Sequence, residues 1–246
     1  MASYAFYAVG ALGLWAAVSQ YPFHQTHRTC DELASLLDGR VFTSQAPAYM
    51  TTADEVSTVI VTLARAHRKQ GERFSIRSQG HMPHAGAANI QDGVTIDLRA
   101  SWGEVYEVLD AVNITVTGGR ASSIGAGGFL SGGGLSALGP AAGWGCDNVL
   151  EFKIVLASGE IVNITKISHP DLFIALKGGS NYFGVIAKFT MKAYPSRGVW
   201  GSVVAYTPSE ILAQIKAYSS FMQPDTFDPM QIQSRAMDGL LSTECC

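Results

Sequence analysis

Apolar and polar positions alternate between helical and strand-like spacing from residue 52 onward. Thr52 with Glu55 three residues on has capping-box spacing, and Val56, Val59, Ile60 and Leu63 recur at helical intervals. The pattern predicts an amphipathic helix ending near Gly71. Phe74-Ser75-Ile76 and Val94-Thr95-Ile96-Asp97-Leu98 are predicted strands on either side of a polar loop over residues 77–93. Trp102, Val105, Tyr106 and Leu109 share one helix face, and Ile114-Thr115-Val116 resumes as strand. Residues 149–156 and 160–164, joined at Ser158-Gly159, predict a hairpin, Pro170 opens a helix through Leu176, and residues 184–194 read as one or two strands. A turn cluster at residues 195–198 marks a domain boundary. Beyond it Val203-Val204 is strand-like, and Thr207-Pro208-Ser209-Glu210 is expected to cap a helix carrying Ile211, Leu212, Ile215 and Tyr218 on one face. Helices and strands without regular βαβ alternation predict an α+β fold.

The start of the chain has two readings. Residues 4–18 are apolar and run into Ala16-Ala17-Val18-Ser19, as a secretory leader and its cleavage site would, but no basic residues precede them. Residues 1–20 are therefore read either as a signal peptide, with the protein in the secretory pathway or secreted, or as a helix of a cytoplasmic protein. The run is too short for a comfortable bilayer span, and no stable membrane span is expected. In the first reading Asn113 and Asn163, each in an Asn-x-Thr sequon, are glycosylation acceptors.

With 47% hydrophobic and 15% charged residues, the 246-residue chain can bury a substantial core. Its net charge of -3 and scattered Lys and Arg give no footprint for a phosphate backbone, so no nucleic acid is expected. Cys30, Cys146, Cys245 and Cys246 have neither zinc-site spacing nor the density of a disulfide scaffold, and no metal site is expected.

Eleven of the 26 glycines fall between Gly118 and Gly145, interspersed with Phe129, Leu130, Leu135, Leu138 and Trp144. Flexible linkers carry no such core residues, so the segment is structured. Glycines let a backbone approach a pyrophosphate closely. No GxxxxGK[ST] is present, and the pattern through Gly125-Ala126-Gly127 lacks the third glycine and the ribose-binding acid of a Rossmann site.

A more specific likeness lies in several motifs that occur in one order. These are Arg77-Ser78-Gln79-Gly80-His81, Asp92-Gly93-Val94-Thr95-Ile96-Asp97-Leu98, Gly118-Gly119-Arg120, Gly127-Gly128-Phe129-Leu130-Ser131-Gly132-Gly133-Gly134, Cys146-Asp147-Asn148-Val149 and Lys177-Gly178-Gly179-Ser180-Asn181-Tyr182-Phe183-Gly184-Val185. Over residues 53–195 the chain resembles the FAD domain of the p-cresol methylhydroxylase and vanillyl-alcohol oxidase family, most closely its fungal berberine-bridge-enzyme-like branch. The resemblance implies FAD as cofactor and a PCMH-type domain of two α/β subdomains over residues 40–197, followed over 198–246 by only the start of a substrate domain. It also implies flavin contacts from Arg77, Ser78, Gln79, Gly80, His81, Gly127, Gly128, Ser131, Gly132, Gly133, Asn148, Gly184, Val185 and Ile186. His81 is implied as the covalent flavin carrier, the alternative being an ordinary loop histidine. Arg77 either pairs with phosphate or is a solvated loop charge.

Gly125 stands where some relatives carry a second covalent cysteine, so a single link is expected. Cys146 is expected to be a packed core thiol, and Cys30 unpaired. Gln79 replaces the family's glycine beside His81, and glycine-only conformations are expected to be lost there. Two strand-bearing stretches of the family are absent, one of them closed directly by Leu98-Arg99-Ala100-Ser101-Trp102. Their loss is expected to destabilise the fold unless something fills the space. No residue matches the family's catalytic base. The activity implied is oxidation of a small organic molecule in fungal secondary metabolism with oxygen as final acceptor. The competing readings are a flavin-binding remnant or binding protein without turnover, and a shortened gene model of a longer oxidase.

Overall fold

The computed structural model describes residues 5–6, 14–19, 48–50, 52–71, 73–82, 84, 93–98, 100–196, 198, 204–229 and 231. Cys30, Cys245, Cys246 and Val203 lie outside them.

Helix α1, Ala53–Gln70, forms where the pattern places it. The Thr52 hydroxyl accepts from the Glu55 N–H at 3.3 Å, the Glu55 carboxylate accepts from the Thr52 N–H at 3.2 Å, and Gly71 ends the helix in a left-handed conformation. Its face of Val56, Val59, Ile60 and Leu63 is buried with Ile96, Val155 and Val185, making the first core cluster.

Two four-stranded sheets flank that helix. The first has the order β3-β2-β5-β4, from β2 (Leu14–Ser19), β3 (Ala48–Met50), β4 (Arg73–Arg77) and β5 (Gly93–Leu98). β4 runs parallel to β5, with Ile76 opposite Ile96, and β2 pairs antiparallel with both β5 and β3. Part of the apolar stretch at the start of the chain, read from the sequence as a leader or a helix, is thus a strand beside β5. The second sheet, β1-β9-β7-β8, is antiparallel and comprises β1 (Ala5–Phe6), β7 (Val149–Val155), β8 (Ile161–Thr165) and β9 (Val185–Lys192). The expected hairpin is its β7-β8 pair. β6 (Ile114–Thr115) pairs with β10 (Tyr194–Pro195).

The second core cluster is built around Trp102, Leu130, Phe152, Ile154, Ile164 and Leu176. Helices α2 (Trp102–Asp110), α3 (Ala126–Ser131) and α5 (Pro170–Ala175) contribute to it, while the short α4 (Gly139–Ala142) buries none of its residues. α2 opens on a capping box that the patterning above passed over, Ser101 with Glu104. The described backbone of the short link before it is hydrogen-bonded. Ala100 donates to the Leu98 carbonyl, Ala126 to that of Ala100, and Trp102 to that of Ile124.

At the far end, Pro208–Glu210 is a 3-10 turn leading into α6, Ile211–Phe221. The capping box expected there does not form, because the Thr207 and Ser209 hydroxyls bond each other at 2.6 Å and the Glu210 N–H goes to the Thr207 carbonyl. Val204 lies outside any strand, and α6 buries none of its residues. Among the described residues no helix is long and apolar enough to cross a membrane.

Candidate functional site

A cleft of about 1450 Å³ opens between the two core clusters, lined from one side by β4 and the loop after it and from the other by α2, α3 and the segment leading into β9. Of the residues singled out in the sequence, Arg77, Ser78, Gln79, Gly80, His81, Gly127, Gly128, Ser131, Gly132, Gly184, Val185 and Ile186 all line it. Three separate stretches of chain, 77–81, 127–132 and 184–186, are thereby brought to one concavity.

The loop conformation does not depend on a glycine at position 79. Gly80 takes the left-handed conformation, at φ 68°, while Asn113 and Ser180 are the residues other than glycine with positive φ among those described. Gln79 and His81 are exposed at the cleft, whereas His84 is exposed but does not line it.

The glycines divide by what a side chain would meet. A Cβ on Gly125 would run into the Ser78 side chain and stand 2.9 Å from the Gln79 backbone nitrogen, so this glycine lets the two loops touch. Cβ atoms on Gly118 and Gly119 would strike the Trp102 ring, and those on Gly134 and Gly145 the ring of Phe129. Gly127 and Gly128 differ. At Gly127 the nearest atom is the Ser78 hydroxyl at 3.9 Å, at Gly128 nothing lies within 4 Å, and neither has a positive φ. Neither protein packing nor backbone conformation calls for glycine there. The Ser78 Oγ is buried and has no hydrogen-bond partner. Buried hydroxyls are normally bonded, so an acceptor or donor from outside the chain suits it.

Two of the singled-out residues do not line the cleft. Gly133 sits behind it, its carbonyl accepting from the Cys146 N–H. Asn148 is buried and fully engaged by the protein. Its Nδ2 donates to the carbonyls of Ala142 at 2.9 Å and Trp144 at 3.0 Å, and its Oδ1 accepts from the Tyr194 hydroxyl at 2.6 Å. The structure makes it a brace of the glycine segment.

Other cleft residues were not singled out. Ser180, Asn181, Tyr182 and Phe183 line the cleft, held there by the Ser180 N–H donating to the Ser131 carbonyl at 2.9 Å. Their motif was legible, their orientation was not. Trp144, Arg120 and Lys188 also line the cleft, and no Asp or Glu is among its described lining residues.

Three titratable groups are displaced from their usual ranges. Burial pushes Tyr106 up to about 12, and its hydroxyl donates to the Gly119 carbonyl at 3.0 Å. Cys146, 6% exposed, is raised by burial and then by the Asp147 carboxylate, which suits a packed thiol. Lys177 is lowered, first by burial. No cluster of three or more His, Cys, Asp or Glu suited to a metal is present among the described residues. Asn113 and Asn163 are both exposed, the first in the turn after α2, the second on β8.

Residues 100–165 match the family described as FAD binding domain. The chain is 34% identical over 224 residues to the FAD-dependent monooxygenase drtC of Aspergillus calidoustus, covering 78% of this chain and 43% of that protein. It is 33% identical over 236 residues to the FAD-dependent monooxygenase tpcD of Cochliobolus heterostrophus, covering 86% and 45%. The chain thus spans less than half the length of these curated relatives. Among solved structures, 6-hydroxy-D-nicotine oxidase from Arthrobacter nicotinovorans superposes with a TM-score of 0.63 at 24% identity, over 87% of this chain and 50% of that one. A VAO-type flavoprotein from Myceliophthora thermophila superposes with a TM-score of 0.52 at 23% identity, over 60% and 31%.

Proposed function

We propose, on the premise that this chain belongs to the flavin-dependent oxidoreductases with a vanillyl-alcohol oxidase type FAD-binding domain, that its cleft is the FAD site of an enzyme oxidising a small organic molecule in fungal secondary metabolism. The observation that carries the placement is the pair Gly127 and Gly128, glycines that line the cleft without any demand from packing or conformation. Close approach of a ligand to their backbone explains both. The orphaned Ser78 hydroxyl and the cations Arg77 and Arg120 on the same cleft suit a pyrophosphate. FAD supplies the redox chemistry when bound, accepting two electrons from the substrate.

The protein's own work is binding and orientation. Gly127, Gly128 and Ser78 would hold the pyrophosphate region, and the backbone at Gly184, Val185 and Ile186 would border the cofactor on the side of β9. His81, exposed at the cleft after Gly80, would carry the covalent bond. Purified protein should show flavin absorbance, and the colour should persist through acid precipitation in the wild type and be lost from H81A. A colourless chain that takes up no added FAD overturns the assignment.

Oxygen is proposed as the final acceptor, with one peroxide released per substrate oxidised. The names of the relatives favour a second form of the activity, monooxygenation. Incorporation of labelled oxygen into product, without stoichiometric peroxide, would select it. Binding of FAD without turnover is a further reading, favoured by the lack of a carboxylate among the described cleft residues. Absence of turnover across a substrate panel by a flavin-loaded chain would support it. Passage through the secretory pathway, with glycans on Asn113 and Asn163, is proposed from the apolar leader, while the pairing of Leu14–Ser19 with β5 favours retention of that segment. The N-terminal sequence of the mature protein decides between them.

A further inference from the structure

Ser180 departs from a rule that the residues around it keep. In the cleft segment after α5, Gly178 and Gly184 take positive φ, at 104° and 142°, as glycine readily does. Gly179 has no room for a side chain, since a Cβ there would overlap the Ala175 carbonyl oxygen. Ser180 shares the left-handed conformation, at φ 59°, yet carries a side chain. Among the described residues the other such case is Asn113, of a residue type enriched in this conformation, in an exposed turn. Serine lacks that preference.

The backbone of Ser180 is held from outside its own loop. Its N–H donates to the carbonyl of Ser131, a buried residue that closes α3, at 2.9 Å. Strain of this kind persists only where the surrounding structure imposes it, and it collects at ligand sites. Glycine would relieve the strain, so the serine hydroxyl is the feature that calls for a cause. The hydroxyl donates to Asn181 Oδ1 at 3.4 Å, a long bond, and both residues line the cleft with Asn181 exposed. The pair thus offers a primary amide with a hydroxyl beside it. An asparagine amide matches a ring edge that sets an N–H next to an acceptor, as on adenine, and the pyrimidine end of isoalloxazine has the same complement.

The place of the pair agrees with a ring system. Ser78 and Gln79 meet the glycine segment at Gly125, before α3 begins, whereas Ser180 is tied to the other end of that helix. Six helical residues separate those ends by about 9 Å. Ser180 and Asn181 therefore lie beyond the loops assigned to the pyrophosphate.

We infer that Ser180 and Asn181 are cofactor-binding residues that hold a donor–acceptor ring edge of FAD, and that the strained Ser180 backbone aims them. The inference rests on the reading of the cleft as a flavin site.

Full-length H81A, which should hold FAD reversibly, is the parent into which S180G, S180A and N181A are placed. Thermal unfolding without ligand is followed by calorimetric titration with FAD, FMN and ADP. S180G should unfold at the parent's midpoint or about 2–4 °C above it, because the strain is relieved. It should nevertheless bind FAD about tenfold more weakly, with S180A about threefold and N181A about tenfold weaker. A serine with a merely structural role cannot yield a firmer fold and a weaker complex together. Weakened ADP binding assigns the pair to adenine, and weakened FMN binding assigns it to isoalloxazine. FAD affinity unchanged in S180G or in N181A overturns the inference, as does an S180G chain less stable than its parent. Should H81A hold no FAD, the flavin content of the same variants with His81 intact reads the same order. If neither H81A nor the wild type takes up FAD, the flavin reading fails and this inference with it. Variants that bind as the parent does remove this inference alone.

Discussion

Glycines that look alike along the chain do different things once the fold is formed. A methyl group at Gly125 would strike Ser78, whereas one at Gly128 would point into open cleft. G125A should therefore lower stability by about 1–3 kcal/mol through overpacking, while G128A should leave the unfolding midpoint unchanged or slightly raised yet weaken FAD. Thermal unfolding with and without FAD reads both effects, and equal behaviour of the two variants would refute the division. Tyr106 offers a second residue-scale test. Burial raises its pKa from the ordinary 10.0 to about 12, so its contribution is fully present below pH 10 and is lost as pH rises toward 12. Denaturant unfolding should show stability falling across that window, and Y106F should flatten the fall.

The β7-β8 hairpin turn is also a joint between the subdomains. Gly159 has φ 89°, its carbonyl accepts from the Ser57 hydroxyl at 2.5 Å, and a Cβ there would collide with Val61 on α1. G159A combines backbone strain with a clash and should cost about 2 kcal/mol or more, measured by urea unfolding. α6 is the opposite case. Its apolar residues Ile211, Leu212, Ile215 and Tyr218 are all at least 38% exposed and none is buried. Helices of this length gain most of their stability from tertiary packing. Amide exchange over residues 211–221 should accordingly be fast, and that over Val149–Val155 slow.

At the scale of the whole molecule, the cleft divides one core cluster from the other, and a ligand filling it touches both. FAD at a hundred times its dissociation constant should stabilise the fold by about 2.7 kcal/mol through mass action. A midpoint that does not move with FAD would place the cofactor elsewhere. The relatives extend well beyond the length shared with this chain.

Local chemistry was readable along the chain. Thr52 and Glu55 cap α1 because both partners lie within one turn, and the Val56 to Leu63 stripe shows which face is buried. The hairpin and most cleft-lining loops were legible for a related reason, since turn residues and ordered motifs report on backbone conformations set within a few residues. Contacts between distant segments were not. Nothing in the spelling of residues 14–19 specifies a strand beside β5, because pairing register depends on a partner about eighty residues away. The same holds for Asn148. Its motif marked it as a flavin contact, but Tyr194, 46 residues on, takes its oxygen, and Ala142 and Trp144 take its amide hydrogens. A side chain has only so many donors and acceptors, and long-range packing allots them.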